Sequence, residues 1–253
     1  MAELDGTVAL VTGASSGIGE ATAVALAAQG AALAVAARRK DRLDQLVSRI
    51  SDRGGKALAI ETDVTDQEQA RAAVERTVSE LGRLDTLVNN AGQMLLGPIL
   101  DAPTEEWDRM IALNLQGLLY CSHAALPHLL KAAESSPRGV ADLINISSVA
   151  GRVARVGSGV YNLTKWGVGA FSESLRQEVT KRNVRVSLVE PGAVATELTD
   201  HLRPEIRERS KERFAGIERL ESEDIARTIE FIVRQPRRVA INEVLIRPTD
   251  QDF

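Results

Sequence analysis

Cysteine occurs once in the 253 residues, at Cys121. A single thiol closes no internal disulfide, so nothing marks the chain for an oxidising compartment and the cytoplasm is the expected location. Histidine occurs three times. His123 and His128 share an apolar segment with Cys121, but a zinc centre needs four ligands at set spacings, and no metal site is expected. Aromatic residues make up 3%, too few to stack along a nucleic-acid strand. A basic excess is also missing: 31 Lys and Arg stand against 35 Asp and Glu, a net charge of −4. That argues against a protein built to grip phosphate backbones. The first residues, Met1 to Asp5, are acidic and lack a signal-peptide n-region. The longest uncharged run, Ala21 to Ala37, is mostly alanine and is broken by Gln29-Gly30. It reads as helix, turn and buried strand, not as a membrane span.

What is present is a soluble composition, 44% hydrophobic and 26% charged, long enough for one large core and a single domain over residues 1–253. Short apolar runs alternate with longer helical patterns. Strands are predicted at 7–12, 32–37, 56–60, 84–88, 141–146, 184–189 and 243–246. Helices are predicted at 17–29, about 40–53, 66–81 (N-cap Thr65 or Asp66), 104 to about 133, 159–181 and 222–234. The strands are nearly continuous apolar runs and do not alternate, as in strands buried on both faces. The expected fold is α/β, a doubly wound parallel sheet of about seven strands with helices on both faces. Ligands bind such sheets beyond the carboxyl ends of the strands.

The motifs stand at those ends. After the first strand comes Thr12-Gly13-Ala14-Ser15-Ser16-Gly17-Ile18-Gly19. It is either an ordinary glycine-rich turn or one that brings backbone and a helix N-terminus against a pyrophosphate. After the second strand, Ala37 stands where an NAD site carries an acid, and Arg38, Arg39 and Lys40 follow. They are either a solvated helix start or, with Ser15, a seat for a 2′-phosphate. Asp63, followed by Val64, is placed to meet an adenine amino group or simply to cap a helix. Asn90-Ala91-Gly92, after the fourth strand, lets backbone pass close to a ribose, whereas Asn89 is read as a tie between strands. Ser148 follows the fifth strand. Tyr161 and Lys165 lie one helical turn apart on a shared face. With two tyrosines in the chain, chance alone gives such a pair at about 5%. The ordered conjunction with the glycine turn, N-N-A-G, Ser148 and Pro191-Gly192 is far more specific.

Over about residues 5–235 this conjunction resembles the short-chain dehydrogenase/reductase family, single-domain type, with its Rossmann-like fold. The resemblance implies NADP(H) as cofactor, a small carbonyl or alcohol substrate, and a homo-oligomer, a tetramer for preference. It implies Tyr161 as general acid/base, Lys165 as its activator, Ser148 as the hydroxyl positioning the carbonyl, and Asn114 as holder of a water, unless Asn114 is merely a buried helix residue bonded to backbone. Pro191, Gly192, Val194 and Thr196 lie in a stretch similar to the one that receives the nicotinamide carboxamide. The C-terminal residues, Met94-Leu95-Leu96-Gly97-Pro98 and 171–178 resemble a subgroup that includes clavulanic acid dehydrogenase and bacterial NADP-dependent 3-hydroxy-acid dehydrogenases.

A phenol of pKa near ~10 is a poor base at neutral pH. A lysine ammonium one turn away and a positive nicotinamide both favour the tyrosinate, and a lowering of the Tyr161 pKa is expected. The leading activity is reduction of an aldehyde or ketone by NADPH. The alternatives are a 3-hydroxy-acid dehydrogenase or 3-ketoacyl reductase, and a cofactor-binding regulator without turnover. Residues 197–220 are densely charged and are expected to form a mobile substrate lid. Their arginines alternate with Glu205, Glu208, Glu212 and Glu218, which fits a solvated lid better than a nucleic-acid or membrane surface. Arg152, Arg155, Arg203 and Arg207 are expected either to face the cleft, favouring an anionic substrate, or to pair with neighbouring glutamates.

Overall fold

The computed structural model describes residues 3–252; Met1, Ala2 and Phe253, and with them the extreme ends of the predicted domain and start of the acidic N-terminus, lie outside the described residues. Seven parallel strands run in the order β3-β2-β1-β4-β5-β6-β7. They are β1 (Val8–Thr12), β2 (Ala32–Ala37), β3 (Ala57–Glu61), β4 (Thr86–Asn89), β5 (Ala141–Ile146), β6 (Val184–Pro191) and β7 (Glu243–Ile246). The order reverses between β1 and β4, which opens a crevice at their carboxyl ends. Strands β1, β4, β5 and β6 are buried at every position, which is why they read as nearly continuous apolar runs, with Asp142 and Arg185 buried as an ion pair.

Helices α1 (Gly17–Ala28), α2 (Lys40–Ser51) and α8 (Ser222–Arg234) cover one face. Their Leu26, Leu43, Leu46, Ile225 and Ile229 pack on Val11, Leu33 and Val35 of the sheet. On the other face, α3 (Gln67–Leu81), α5 (Leu118–Ser135) and α6 (Gly159–Val179) press Val74, Leu129 and Leu175 against Leu10, Leu87 and Leu143. Asp66 caps α3, its carboxylate accepting from the Gln69 amide at 3.0 Å.

The helix predicted over 104–133 is not continuous. It divides into α4 (Thr104–Ile111), a π-helical turn at Ala112–Gly117, and α5, which runs on to Ser135. Asn114 sits in that turn. The cause is tertiary: its side chain is tied to a loop beyond β4, and one wider turn rotates it there. Residues 197–220, where a lid is expected, form a 3-10 turn (Glu197–His201), then α7 (Pro204–Arg213), then an irregular return to α8. No helix among the described residues is long and apolar enough to cross a membrane, and no group of acidic, His or Cys side chains among them could hold a metal. Cys121 is buried, and burial pushes its thiol up to about 12.

Candidate active site

The glycine turn is shaped for close backbone approach. Gly13 takes φ +64°, and a Cβ there would stand 2.8 Å from Ala91 Cα. A Cβ on Gly19 would lie 2.5 Å from the Gly13 carbonyl oxygen. The turn is stitched to the end of β4: Asn90 Nδ2 donates to the Thr12 and Gly13 carbonyls at 2.9 and 3.2 Å, and the Asn90 and Ala91 amides donate to Thr12 Oγ1. Asn89 ties strands as expected, its Nδ2 donating to Ser122 Oγ and Asn145 Oδ1, both at 2.9 Å.

These elements frame a cavity of about 320 Å³. Gly13, Ser15, Ser16, Gly17 and Ile18 form its floor, with Asn90, Ala91 and Gly92 beside them. Arg38, Arg39, Asp63 and Val64 close one end; Ser148, Tyr161, Lys165, Pro191, Gly192, Val194 and Thr196 line the other. Gly19 and Asn114 stand behind the lining. Arg38 is exposed, whereas Arg39 reaches inward and donates to Ser15 Oγ at 3.0 Å and Ser16 Oγ at 2.7 Å. Arg39 also pairs with Glu197 at 2.9 Å, and Arg42 joins the same carboxylate at 2.6 Å. The two guanidiniums hold Glu197 down to about 2. Asp63 accepts from the Thr65 amide and hydroxyl at 3.0 and 2.7 Å, so it orders the turn before α3 while facing the cavity.

Ser148 lies two residues beyond β5 and accepts from the Ala150 amide at 3.1 Å. Tyr161 and Lys165 come from the first turns of α6 and are buried. Lys165 Nζ donates to the Ile146 carbonyl at 2.9 Å and lies 5.8 Å from the Tyr161 ring centroid. Burial pushes Tyr161 up to about 12, with the Ser148 hydroxyl acting the other way through a hydrogen bond. In the protein without cofactor the phenolate's desolvation sets the direction, upward, whereas the expected lowering invokes the lysine together with a bound, positive nicotinamide. Burial likewise brings Lys165 down to about 8. Asn114 accepts from the Gln93 amide and donates to the Gln93 carbonyl, both at 2.9 Å, and donates to Thr164 Oγ1 at 3.1 Å.

A second cavity, of about 300 Å³, meets the first at Ser148, Tyr161, Gly192, Val194 and Leu198. Met94, Leu96, Val149, Val153 and Ile206 make it largely apolar. Of the four arginines expected to face it, Arg155 lines it. The other three are held elsewhere. Arg152 binds the buried Glu190 through two nitrogens and also Glu243. Arg203 pairs with Glu106 and Glu205, and Arg207 with Asp200. A carboxylate within reach in each case outcompetes exposure to the cleft.

Several residues that shape the site carry no sequence motif. Asn162 donates to the Ala150 and Val153 carbonyls at 2.6 and 2.9 Å and so pins the loop after β5. Gln251 accepts from the Ala193 amide at 2.9 Å, fixing the C-terminal residues against the loop after β6.

Comparison with known proteins agrees with this geometry. An uncharacterized oxidoreductase of Staphylococcus saprophyticus is 38% identical over 250 residues, covering 97% of each chain. The alcohol dehydrogenase of Thermococcus sibiricus, solved with 5-hydroxy-NADP, superposes with a TM-score of 0.85 at 28% identity, over 98% of each chain. The 3-ketoacyl-(acyl-carrier-protein) reductase of Brucella melitensis, solved with NADH, gives 0.83 at 27% identity, over 96% of this chain and 98% of that one. The sequence model of the short chain dehydrogenase family matches residues 7–207, which take in the glycine turn, Ser148, Tyr161 and Lys165, and the chain is a member of that oxidoreductase family.

Proposed function

We propose that the protein is an NADP(H)-dependent carbonyl reductase, interconverting an aldehyde or ketone with its alcohol through Ser148, Tyr161, Lys165 and Asn114. The observation that carries this reading is the place of Ser148 and Tyr161, at the junction of a cavity floored by a glycine turn and a second, apolar one. The first fits a dinucleotide: its floor excludes Cβ atoms where a pyrophosphate needs backbone, and its far end offers the Arg39, Ser15 and Ser16 donors and no acid at Ala37. NADPH, when bound there, supplies the hydride.

The residues do the rest. With its pKa at about 12, Tyr161 keeps its proton at neutral pH and is ready to give it to the carbonyl oxygen. Ser148 donates a hydrogen bond to that oxygen as charge develops on it. Lys165, at about 8, is cationic at neutral pH and stabilises the tyrosinate left behind. Both Asn114 amide protons are engaged, but Oδ1 retains a lone pair for a water on the Lys165 side, since it and Lys165 Nζ both face Gly92. The subgroup likeness, with clavulanic acid dehydrogenase and the 3-hydroxy-acid dehydrogenases, guides the choice of substrates. The exposed Leu119, Leu163 and Trp166 of α5 and α6 suit pairing with further copies of the chain, a tetramer for preference, which sedimentation velocity tests. A screen of aldehydes, 3-keto esters and 3-hydroxy acids, following NADPH absorbance, tests the activity. Turnover with NADPH and at most weak turnover with NADH is expected; no turnover across the panel contradicts the reading.

A further inference from the structure

We propose that Gln251, in the tail beyond β7, is a positioning residue for the nicotinamide end of the cofactor, because it holds the backbone of the loop after β6 at the point where the two cavities meet. The proposal rests on the NADP(H) reading for what fills the first cavity, and on the tail's own contacts for the positioning.

The first observation is what holds that loop, residues 192–196. Ala193 is fixed on both sides. Its amide donates to Gln251 Oε1 at 2.9 Å, and its carbonyl accepts from the Leu220 amide at 3.0 Å. The Gly192 amide donates to the carbonyl of Ile246, the last residue of β7, at 2.7 Å, and the Ala195 amide donates to the Leu220 carbonyl at 2.8 Å. These neighbours are backbone-to-backbone bonds that any sequence could make. The bond to Gln251 is made by a side chain, so it depends on this residue type.

The second observation is how the tail presents the side chain. The Gln251 amide donates to the Pro248 carbonyl at 3.1 Å, which closes a turn over 248–251. Asp250 Oδ2 accepts from the Glu218 amide at 3.3 Å and ties the turn to the segment before α8. The tail lies directly on the loop: a Cβ on Gly192 would collide with Gln251 Oε1 and stand 3.2 Å from Arg247 Cα. Gln251 is only 7% exposed. Burying a primary amide is unfavourable unless its polar atoms are bonded. Methionine would fill a similar length without that penalty, so the acceptor and not the bulk distinguishes glutamine here.

The third observation is where the held peptide stands. Gly192 and Val194 line both cavities, as Ser148 and Tyr161 do. Gln251 lines the second cavity and not the first. It therefore acts on the cofactor through the Ala193 peptide and not by contact. The opposite end of the first cavity is set independently, by Arg39 with Ser15 and Ser16. Loosening the loop should leave that end intact and spoil the end beside Tyr161. Transfer between reacting atoms is sensitive to misplacement by about 1 Å.

The test compares wild type with Gln251→Met, which keeps the length and loses the acceptor, and Gln251→Glu, which keeps an acceptor for the Ala193 amide. Both variants lack the amide nitrogen of Gln251, so a difference between them reports the acceptor; repetition at high salt screens the charge that Glu adds. Thermal melting and the stoichiometry of 2′-phospho-ADP-ribose binding give the folded fraction. In the cofactor-free protein, the Ala193 amide should exchange hydrogen about tenfold faster in Gln251→Met and near the wild-type rate in Gln251→Glu. The ratio of affinities for NADPH and for 2′-phospho-ADP-ribose, which lacks the nicotinamide, should fall by about three- to tenfold in Gln251→Met. The affinity for 2′-phospho-ADP-ribose itself should stay within about twofold. The single-turnover rate of NADPH oxidation, with the best aldehyde, should fall by about tenfold or more in Gln251→Met and recover in Gln251→Glu. Unchanged exchange at Ala193 in Gln251→Met overturns the proposal. So does faster exchange with an unmoved affinity ratio and an unmoved rate, which would make Gln251 structural only, and so do equal losses in both variants. The expected exchange and affinity changes, in a wild type that turns over no aldehyde or ketone, support the positioning and overturn the reductase reading. Binding of neither NADPH nor 2′-phospho-ADP-ribose to the wild type overturns both.

Discussion

The two cavities share Ser148 and Tyr161 but are built on different principles. The cofactor cavity is made of backbone: a turn with Gly13 at positive φ, amides and carbonyls stitched by Thr12 and Asn90, and strand ends fixed by the parallel ladder. The substrate cavity is made of side chains on a loop, a helix and the C-terminal residues, held by Asn162, Gln251 and ion pairs such as Arg207 with Asp200. Backbone geometry is dictated by local sequence and by the sheet, so a cofactor common to many relatives can be bound in one way. Side-chain walls change with single substitutions, so the substrate is where relatives diverge.

The largest effect expected to break this division is at the shared boundary. Lys165→Met should cut turnover by about 10²- to 10⁴-fold and weaken NADPH binding as well, because the ammonium faces the cofactor cavity beside Tyr161. Stopped-flow and fluorescence titration read the two losses separately. Second, Ala37→Asp with Arg38→Ala should shift the NADPH:NADH ratio of kcat/KM toward NADH by about 10- to 150-fold. Arg39→Ala should move it the same way, since Arg39 is the guanidinium that touches Ser15 and Ser16. A cavity of backbone alone would give no shift in either variant. Third, free Lys165 loses its proton near pH 8. The folded-state value is depressed, so below about pH 8 the charged form predominates and above it the charge is lost. The apparent kcat/KM for NADPH should therefore fall by about tenfold per pH unit above that point. A flat profile to pH 10 would show that Lys165 is not the titrating group. The smallest effect belongs to the pair of salt bridges that Glu197 makes beside the first cavity. Glu197 opens the charged segment 197–220 and shares its single negative charge between Arg39 and Arg42. Its carboxylate competes with a 2′-phosphate for Arg39, so Glu197→Gln should tighten NADPH by about two- to fivefold, and less at high salt. Weaker NADPH binding would make Glu197 a support of the site.

The same contrast explains what could be read in the chain before the fold was seen. Every strand from β1 to β7 was visible because each is a largely apolar run next to a turn, and the glycine turn and Ser148 follow strand ends directly. The π-helical turn at Ala112–Gly117 was not visible, because it depends on Asn114 meeting Gln93. The pairing of Arg152 was not visible, because it depends on Glu190 being brought to the end of β6, buried and in reach. The rise in the Tyr161 pKa comes from burial alone, which spacing to Lys165 does not reveal.

The central claim, that Tyr161 is the proton donor at the meeting point of a cofactor cavity and a substrate cavity, is tested most directly by Tyr161→Phe. The substitution removes one hydroxyl and leaves the ring to fill its space. With whichever aldehyde or ketone the wild type reduces best, the rate of NADPH consumption should fall by about 10³-fold while the Kd for NADPH stays within about twofold. Retention of a tenth of the wild-type rate would assign the proton to another group and contradict the account.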